Sequence, residues 1–202
     1  MIYVFFITIL SQSQLFKFVR RHALIILKMG IKPIYLAIVA MTVDGKIATH
    51  ARQFTSWTSK EDKDFLHKLL DKSDVVVVGS NTYQTAKKPL SKRNCIVLTR
   101  KILKATREAD KLVFFNPARE NLDRFIKKAG YKRVAVLGGT QAYTYFLEKG
   151  LLDEIYLTIE PVIFGRGLGM FETGKFKMRQ WRFVSVKKLN KKGSLVLQYK
   201  RK

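Results

Sequence analysis

The sequence predicts an α/β fold: a mostly parallel central sheet with helices on both faces and an antiparallel C-terminal edge. Three observations carry this. Short apolar runs at 34–41, 75–78, 95–98, 112–115 and 134–137 have the composition of strands buried on both sides. Stretches with apolar residues at helical spacing stand between several of them, and that alternation is what parallel strands joined by crossover helices require. Beyond residue 150, the strand-like runs 155–159, 183–186 and 195–199 follow one another with no helix between them, as antiparallel neighbours do.

Each element has its own signal. The run 34–41 is followed by Val43-Asp44-Gly45-Lys46, whose Asp-Gly pair is turn chemistry, and then by a loop to Trp57. Ser59 can cap a helix in which Phe65, Leu66, Leu69 and Leu70 repeat at helical spacing. After the strand 75–78 comes Gly79-Ser80-Asn81-Thr82, and the stretch 84–93 reads as a loop. Residues 121–129 are helical, with Leu122, Phe125 and Ile126 on one face. The strand 134–137 then enters a third amphipathic helix, 140–149, through Gly138-Gly139.

Length, charge and cysteine bound the rest. A chain of 202 residues with 47% hydrophobic content buries a sizeable core, and residues 30–202 read as one domain with no repeat or low-complexity linker. Residues 1–29 differ: 2–10 are almost wholly apolar, too short for the ~20 residues of a spanning helix, and lack the basic start of a secretory signal. The functional domain is expected to begin near Met29, with the preceding segment an extension arising from the chosen start codon; a membrane is not an expected partner. The single Cys95 sits in an apolar run, where a buried structural thiol is expected, and there is no disulfide framework or Cys/His metal spacing. This composition fits a reducing cytoplasm.

The formal charge of +24 comes from 39 Lys plus Arg against 15 Asp plus Glu and suits polyanions or phosphorylated small molecules. The cations are scattered, and no nucleic-acid motif accompanies them, so a basic solvated surface is the reading preferred over a nucleic-acid partner.

The two glycine turns are the strongest local signals. Glycine lets backbone approach a ligand, and the N–H groups opening a helix have no partner inside it, so each strand-to-helix turn can hold a phosphate. A plain turn is the competing reading for each. Neither turn carries the full Gly-x-Gly-x-x-Gly fingerprint, and there is no Gly-Lys-Ser/Thr phosphate loop, which disfavours the doubly wound dinucleotide fold and the nucleoside triphosphatases.

Taken in order, 40–48, Trp57-Thr58-Ser59-Lys60-Glu61-Asp62, Val78-Gly79-Ser80-Asn81-Thr82-Tyr83, Pro89-Leu90, 94–100, Val136-Leu137-Gly138-Gly139-Thr140, 152–157, and Pro161 with Gly165-Arg166-Gly167 and Phe171 resemble the dihydrofolate reductase superfamily. The resemblance spans about 34–199 and is strongest toward the branch with the riboflavin-biosynthesis reductase domain. It implies a three-layer α/β fold, a homodimer, and NADPH-dependent hydride transfer to a pyrimidine or pterin substrate. The first substrate it implies is 5-amino-6-(5-phosphoribosylamino)uracil or a close analogue, with dihydrofolate the alternative. A different class, a non-catalytic basic nucleic-acid binder on the same scaffold, is the rival.

Carried over by position, the resemblance puts Gly79, Ser80 and Thr82 at the pyrophosphate and adenosine side of the cofactor. Gly138, Gly139, Thr140 and Tyr143 fall at the pyrophosphate and nicotinamide side, and the backbone of Asp44 to Ile47 at the nicotinamide. Thr99, Arg100 and Lys101 follow the strand 95–98, where relatives read the 2′-phosphate; an exposed basic loop is the equal alternative. Asp62 falls where dihydrofolate reductases hold the pyrimidine edge of the substrate, and a carboxylate in a helix's first turn also caps by charge. Trp57 closes over substrate or packs the loop. Three departures stand out. The Asp-Asp-Pro-x-Leu-Thr-Val-Arg loop of the riboflavin branch is missing, Ser80 stands where dihydrofolate reductases usually carry Arg, and Ser56 rather than Pro precedes Trp57.

Overall fold

The computed structural model describes residues 32–174 and 177–202. The extension expected at 1–29 lies outside the described residues. The strands are β1 (Ile34–Thr42), β2 (Lys46–Ala48), β3 (Val75–Gly79), β4 (Cys95–Leu98), β5 (Thr106–Ala109), β6 (Leu112–Phe115), β7 (Arg133–Val136), β8 (Leu152–Glu160), β9 (Leu168–Gly169), β10 (Trp181–Lys188) and β11 (Leu195–Arg201). The helices are α1 (Lys60–Asp71), α2 (Ser80–Leu90), α3 (Leu122–Lys128) and α4 (Thr140–Glu148).

The main sheet has the order β10-β11-β8-β1-β7-β3-β4-β6-β5. The six strands from β8 to β6 are mutually parallel. Beyond β8, β11 and β10 run antiparallel, as the helix-free C-terminal stretch predicts. An antiparallel strand at the other end, β5, carries no apolar signal; all four of its residues are exposed, and only its pairing with β6 makes it a strand. The short pair β2 and β9 forms a separate ribbon, also invisible to periodicity.

Helices cover both faces, completing three layers. One core joins Tyr35, Ala37, Val75, Val77 and Ile96 to Leu122 and Ile126 of α3 and to Tyr143 and Phe146 of α4. The other joins Leu36, Ile38, Val76, Val78 and Val97 to Leu69 and Leu70 of α1 and Leu90 of α2. Successive strand residues alternate between the two cores, which is why the central strands are apolar throughout. Phe146 is fully buried beside Tyr35, with ring centroids 5.4 Å apart. Truncating such a residue to alanine costs about 3–5 kcal/mol. Cys95 is buried, and burial pushes its thiol up to about 12, so it is a small core residue rather than a nucleophile.

The stretch read as a loop at 84–93 is helical as far as Leu90. Pro89 is tolerated in the last turn, the chain departs from helical geometry at Ala86, and buried Leu90 anchors the end in the core. Parallel strands bring their carboxyl ends to one edge of the sheet. Thr42, Gly79, Leu98, Phe115, Val136 and Glu160 therefore end on the same side, the edge where open α/β sheets bind ligands.

Candidate active site

The two glycine turns, 59 residues apart in sequence, meet at that edge. The Gly79 N–H donates to the Gly138 carbonyl at 2.7 Å, and the peptide joining Gly138 to Gly139 is cis. The three glycines are required for different reasons. Gly138 has φ +97°, and a Cβ there would lie 2.8 Å from the Tyr143 ring, so the protein itself demands glycine. Gly79 and Gly139 have ordinary φ values of −73° and −71°. A Cβ on either would make only 3.5 Å contacts, with Gly139 N and Thr82 Oγ1 respectively. Nothing in the protein's own packing excludes a side chain at these two positions. What glycine supplies there is two helix starts with no side chain standing over their backbone N–H groups.

Those starts are also chemically open. α1 and α3 are capped by Ser59 and Asn121, whose side chains accept from Asp62 N and Arg124 N; α2 and α4 begin on Gly79 and Gly139 with no side-chain cap. Backbone donors and the positive ends of two helix dipoles thus face the crevice, a donor set that fits a pyrophosphate. Thr82 stands beside this cradle, Ser80 is half-buried in the first turn of α2, and Thr99 follows Leu98, which pairs with Gly79. Arg100 and Lys101 are exposed just beyond. Their loop is pinned from within: Thr99 Oγ1 accepts from Lys101 N at 3.2 Å, and buried Asn116 donates from Nδ2 to the Ile102 carbonyl at 2.6 Å.

Other residues singled out in the sequence turn inward. The Tyr143 hydroxyl donates to the Ile38 carbonyl at 2.7 Å, and its ring lies beneath Gly138. Thr140 Oγ1 donates to the Gly169 carbonyl at 2.7 Å. The Asp44 carboxylate accepts from Thr42 Oγ1 at 2.5 Å and from the N–H groups of Phe164 and Gly165 at 3.2 and 2.9 Å. The Thr42 bond, seconded by those backbone donors, holds it below the usual carboxylate range. The Asp44 side chain therefore fixes the 161–171 loop against the 42–48 loop. Ile47, beside it, is half-buried against the core.

Asp62 is different. It is buried in the first turn of α1, and its carboxylate receives bonds from Thr58 and Thr158, both buried. Burial holds its carboxyl above the usual range; the threonine bonds oppose this, and the nearby Glu160 adds to it. Such a group is poised to take paired hydrogen bonds from a ligand and to exchange a proton. Tyr143 links the two halves of the site, because its ring supports Gly138 and the Asp62 charge reaches its hydroxyl. Trp57, just before α1, packs edge-on to Phe164 with centroids 5.0 Å apart. Its buried Nε1–H has no partner, so a ligand acceptor can satisfy it.

Thr158, Glu160, Ser194 and Asn116 escape a reading of the sequence: Glu160 stands 101 residues from Ser59 and Ser194 stands 34 from Glu160, while Thr158 and Asn116 lie in stretches without motif. Two signals point to the Asp62 pocket in the sequence: an N-cap serine followed by an acidic first turn, and the position of Asp62 in the family resemblance.

The family model described as dihydrofolate reductase matches residues 34–201. The riboflavin biosynthesis protein RibD of Aquifex aeolicus is 28% identical over 80% of this chain, and the chain spans 56% of that protein's length. Among solved structures, RibD of Acinetobacter baumannii aligns with a TM-score of 0.69 at 18% identity, covering 85% of this chain and 58% of its own. Dihydrofolate reductase of Enterococcus faecalis, complexed with NADP(H), aligns with a TM-score of 0.61 at 19% identity, covering 85% and 98%.

Proposed function

The chain belongs to the dihydrofolate reductase family, and from that premise we propose that it is an NADPH-dependent reductase whose acceptor carries a pyrimidine ring. The observation that carries this reading is the buried Asp62 carboxylate, linked through Tyr143 to a cradle of backbone donors at one sheet edge. Gly79, Gly139 and the first turns of α2 and α4 hold the pyrophosphate, and Thr99, Arg100 and Lys101 hold the 2′-phosphate, whose double negative charge favours NADPH over NADH. When bound, the cofactor supplies the hydride. The protein's part is placement. Asp62 accepts two N–H bonds from the amidine-like edge of the ring, fixes its orientation and favours its protonated form. Thr58 and Thr158 hold the carboxylate, and the Trp57 Nε1–H offers a further donor.

For the acceptor, the riboflavin-type relatives support 5-amino-6-(5-phosphoribosylamino)uracil as the first reading. Asp62, together with the absence of the Asp-Asp-Pro loop, favours dihydrofolate as the second. Parallel assays of NADPH oxidation with the two acceptors decide between them. Turnover with the ribosylated uracil supports the first reading, and turnover with dihydrofolate alone replaces it with the second. Absence of turnover with both, alongside unquenched NADPH fluorescence on mixing, would sink the reductase reading.

A further inference from the structure

We propose that Glu160 is a positioning residue for Asp62, acting through the Ser59 cap and tying the substrate carboxylate to the turn between β10 and β11. The inference rests on the reading of Asp62 given above. Thr158 and Glu160 are two apart on β8 and so share one face of the strand; Ser59 and Asp62 are three apart and share one face of the α1 start. The two pairs meet side against side: Thr158 bonds Asp62, and Glu160 bonds Ser59.

Glu160 is only 3% exposed, and both of its carboxylate oxygens are engaged. Oε1 accepts from Ser59 N at 2.8 Å and from Ser59 Oγ at 2.7 Å, and Oε2 accepts from Ser194 Oγ at 2.5 Å. Ser59 Oγ has then spent its one proton, so it meets Asp62 N at 3.2 Å purely as an acceptor. On the far side, Asn190 Nδ2 donates to Ser194 Oγ at 2.9 Å, and Asn190 Oδ1 accepts from Ser194 N at 3.2 Å. This is a continuous chain from the 190–194 turn to the first turn of α1. A serine caps a helix without help from a buried acid, and burying a carboxylate is costly. What Glu160 adds is a fixed orientation for the cap and a second negative charge behind Asp62. Lys63 and the Tyr143 hydroxyl also face Asp62, while Glu61, with Asn190 and Lys192, faces outward from the same turn.

The test is a carboxyl-carbon NMR titration of the full chain, carrying labelled Asp, with Asp62→Asn used to assign the signal. It is run on wild type, Glu160→Gln and Ser194→Ala, alongside kinetics with the accepted substrate. Removing the neighbouring charge in Glu160→Gln lowers the Asp62 titration midpoint. Removing a donor from Glu160 in Ser194→Ala leaves that charge less compensated and raises the midpoint. In both variants kcat/KM for the acceptor falls, roughly tenfold in Glu160→Gln and less in Ser194→Ala, with the NADPH KM unchanged. If Glu160→Gln fails to fold, Ser194→Ala carries the same readout. An Asp62 midpoint identical to wild type in every folded variant overturns the proposal and leaves Glu160 as a fastening for the turn. A shifted midpoint in a protein that turns over neither acceptor upholds the link between Glu160 and Asp62 and rejects the reductase reading instead.

Discussion

The glycine cradle and the carboxylate pocket lie at the same edge of the sheet and are built in opposite ways. At the cradle the groups on offer are backbone N–H groups with no side chain over them: Gly79 and Gly139 open α2 and α4 without a cap, and of the three glycines Gly138 is the one whose packing leaves no alternative. At the pocket the central group is one side chain, Asp62, and its surroundings are crowded with others. Thr58, Thr158, Ser59 and Glu160 converge there from the segment leading into α1 and from β8. Anion binding by backbone needs little besides geometry, whereas a buried carboxylate is tolerable only when neighbours satisfy it.

The contrast can be broken most forcefully at the pocket. Replacing Asp62 by Asn keeps the size but removes the charge that receives the ring's N–H pair. Turnover (kcat/KM) should fall by about 10²–10⁴, the range expected for loss of a positioned proton-exchanging group, while NADPH affinity stays at the wild-type value. A loss of NADPH affinity of similar size would mean that the two regions are one.

A smaller effect separates the glycines from each other. Gly139→Ala adds only a 3.5 Å contact at an ordinary φ, so thermal unfolding should be nearly unchanged while NADPH affinity drops by roughly tenfold or more, since one lost good contact is worth ~1–2 kcal/mol. Gly138→Ala combines φ +97° with a 2.8 Å clash against Tyr143 and should cost about 1–3 kcal/mol of stability. Wild-type NADPH binding by Gly139→Ala would return that glycine to a plain turn.

The smallest effect is in stability against pH. The Asp62 carboxyl in the folded protein sits above its ordinary value, with burial the chief cause. Its contribution to stability is therefore fully present in acid, below the unfolded value, and is lost as pH rises through the folded value. Asp62→Asn has no such loss. Urea unfolding from about pH 3 to about pH 8 should find the two proteins equal at the acid end and the Asn variant increasingly the more stable toward neutrality. A wild type that gains on the variant with rising pH would mean that the threonine bonds outweigh burial.

How much of this was legible in the sequence follows from the same contrast. The central strands and α1, α3 and α4 could be read because each carries its own apolar period, and the antiparallel C-terminal edge because no helix intervenes. The strands β2, β5 and β9 could not, since their residues are defined by a partner strand rather than by burial. The glycine turns announced themselves, but their meeting across the Gly79 to Gly138 hydrogen bond did not. The family resemblance places Tyr143 at the nicotinamide side of the cofactor; that its hydroxyl donates to the Ile38 carbonyl is a contact no sequence pattern carries.

By itself the sequence determined the local grammar of this protein: which segments are strands or helices, where the chain turns on glycine, where a carboxylate opens a helix, and a family whose order of motifs all these match. These are properties of neighbours along the chain, set by backbone sterics and by periodic burial. Tertiary structure alone decided which of them form a site. It set Thr158 and Glu160 against a helix start about 100 residues away, and turned the Asp44 carboxylate into a loop fastening. It also buried Asp62 at the start of α1 beside a second buried acid, Glu160. The reason is physical: the cost of burying a charge, and the bonds that offset it, exist only once distant segments have come together and water has been excluded between them.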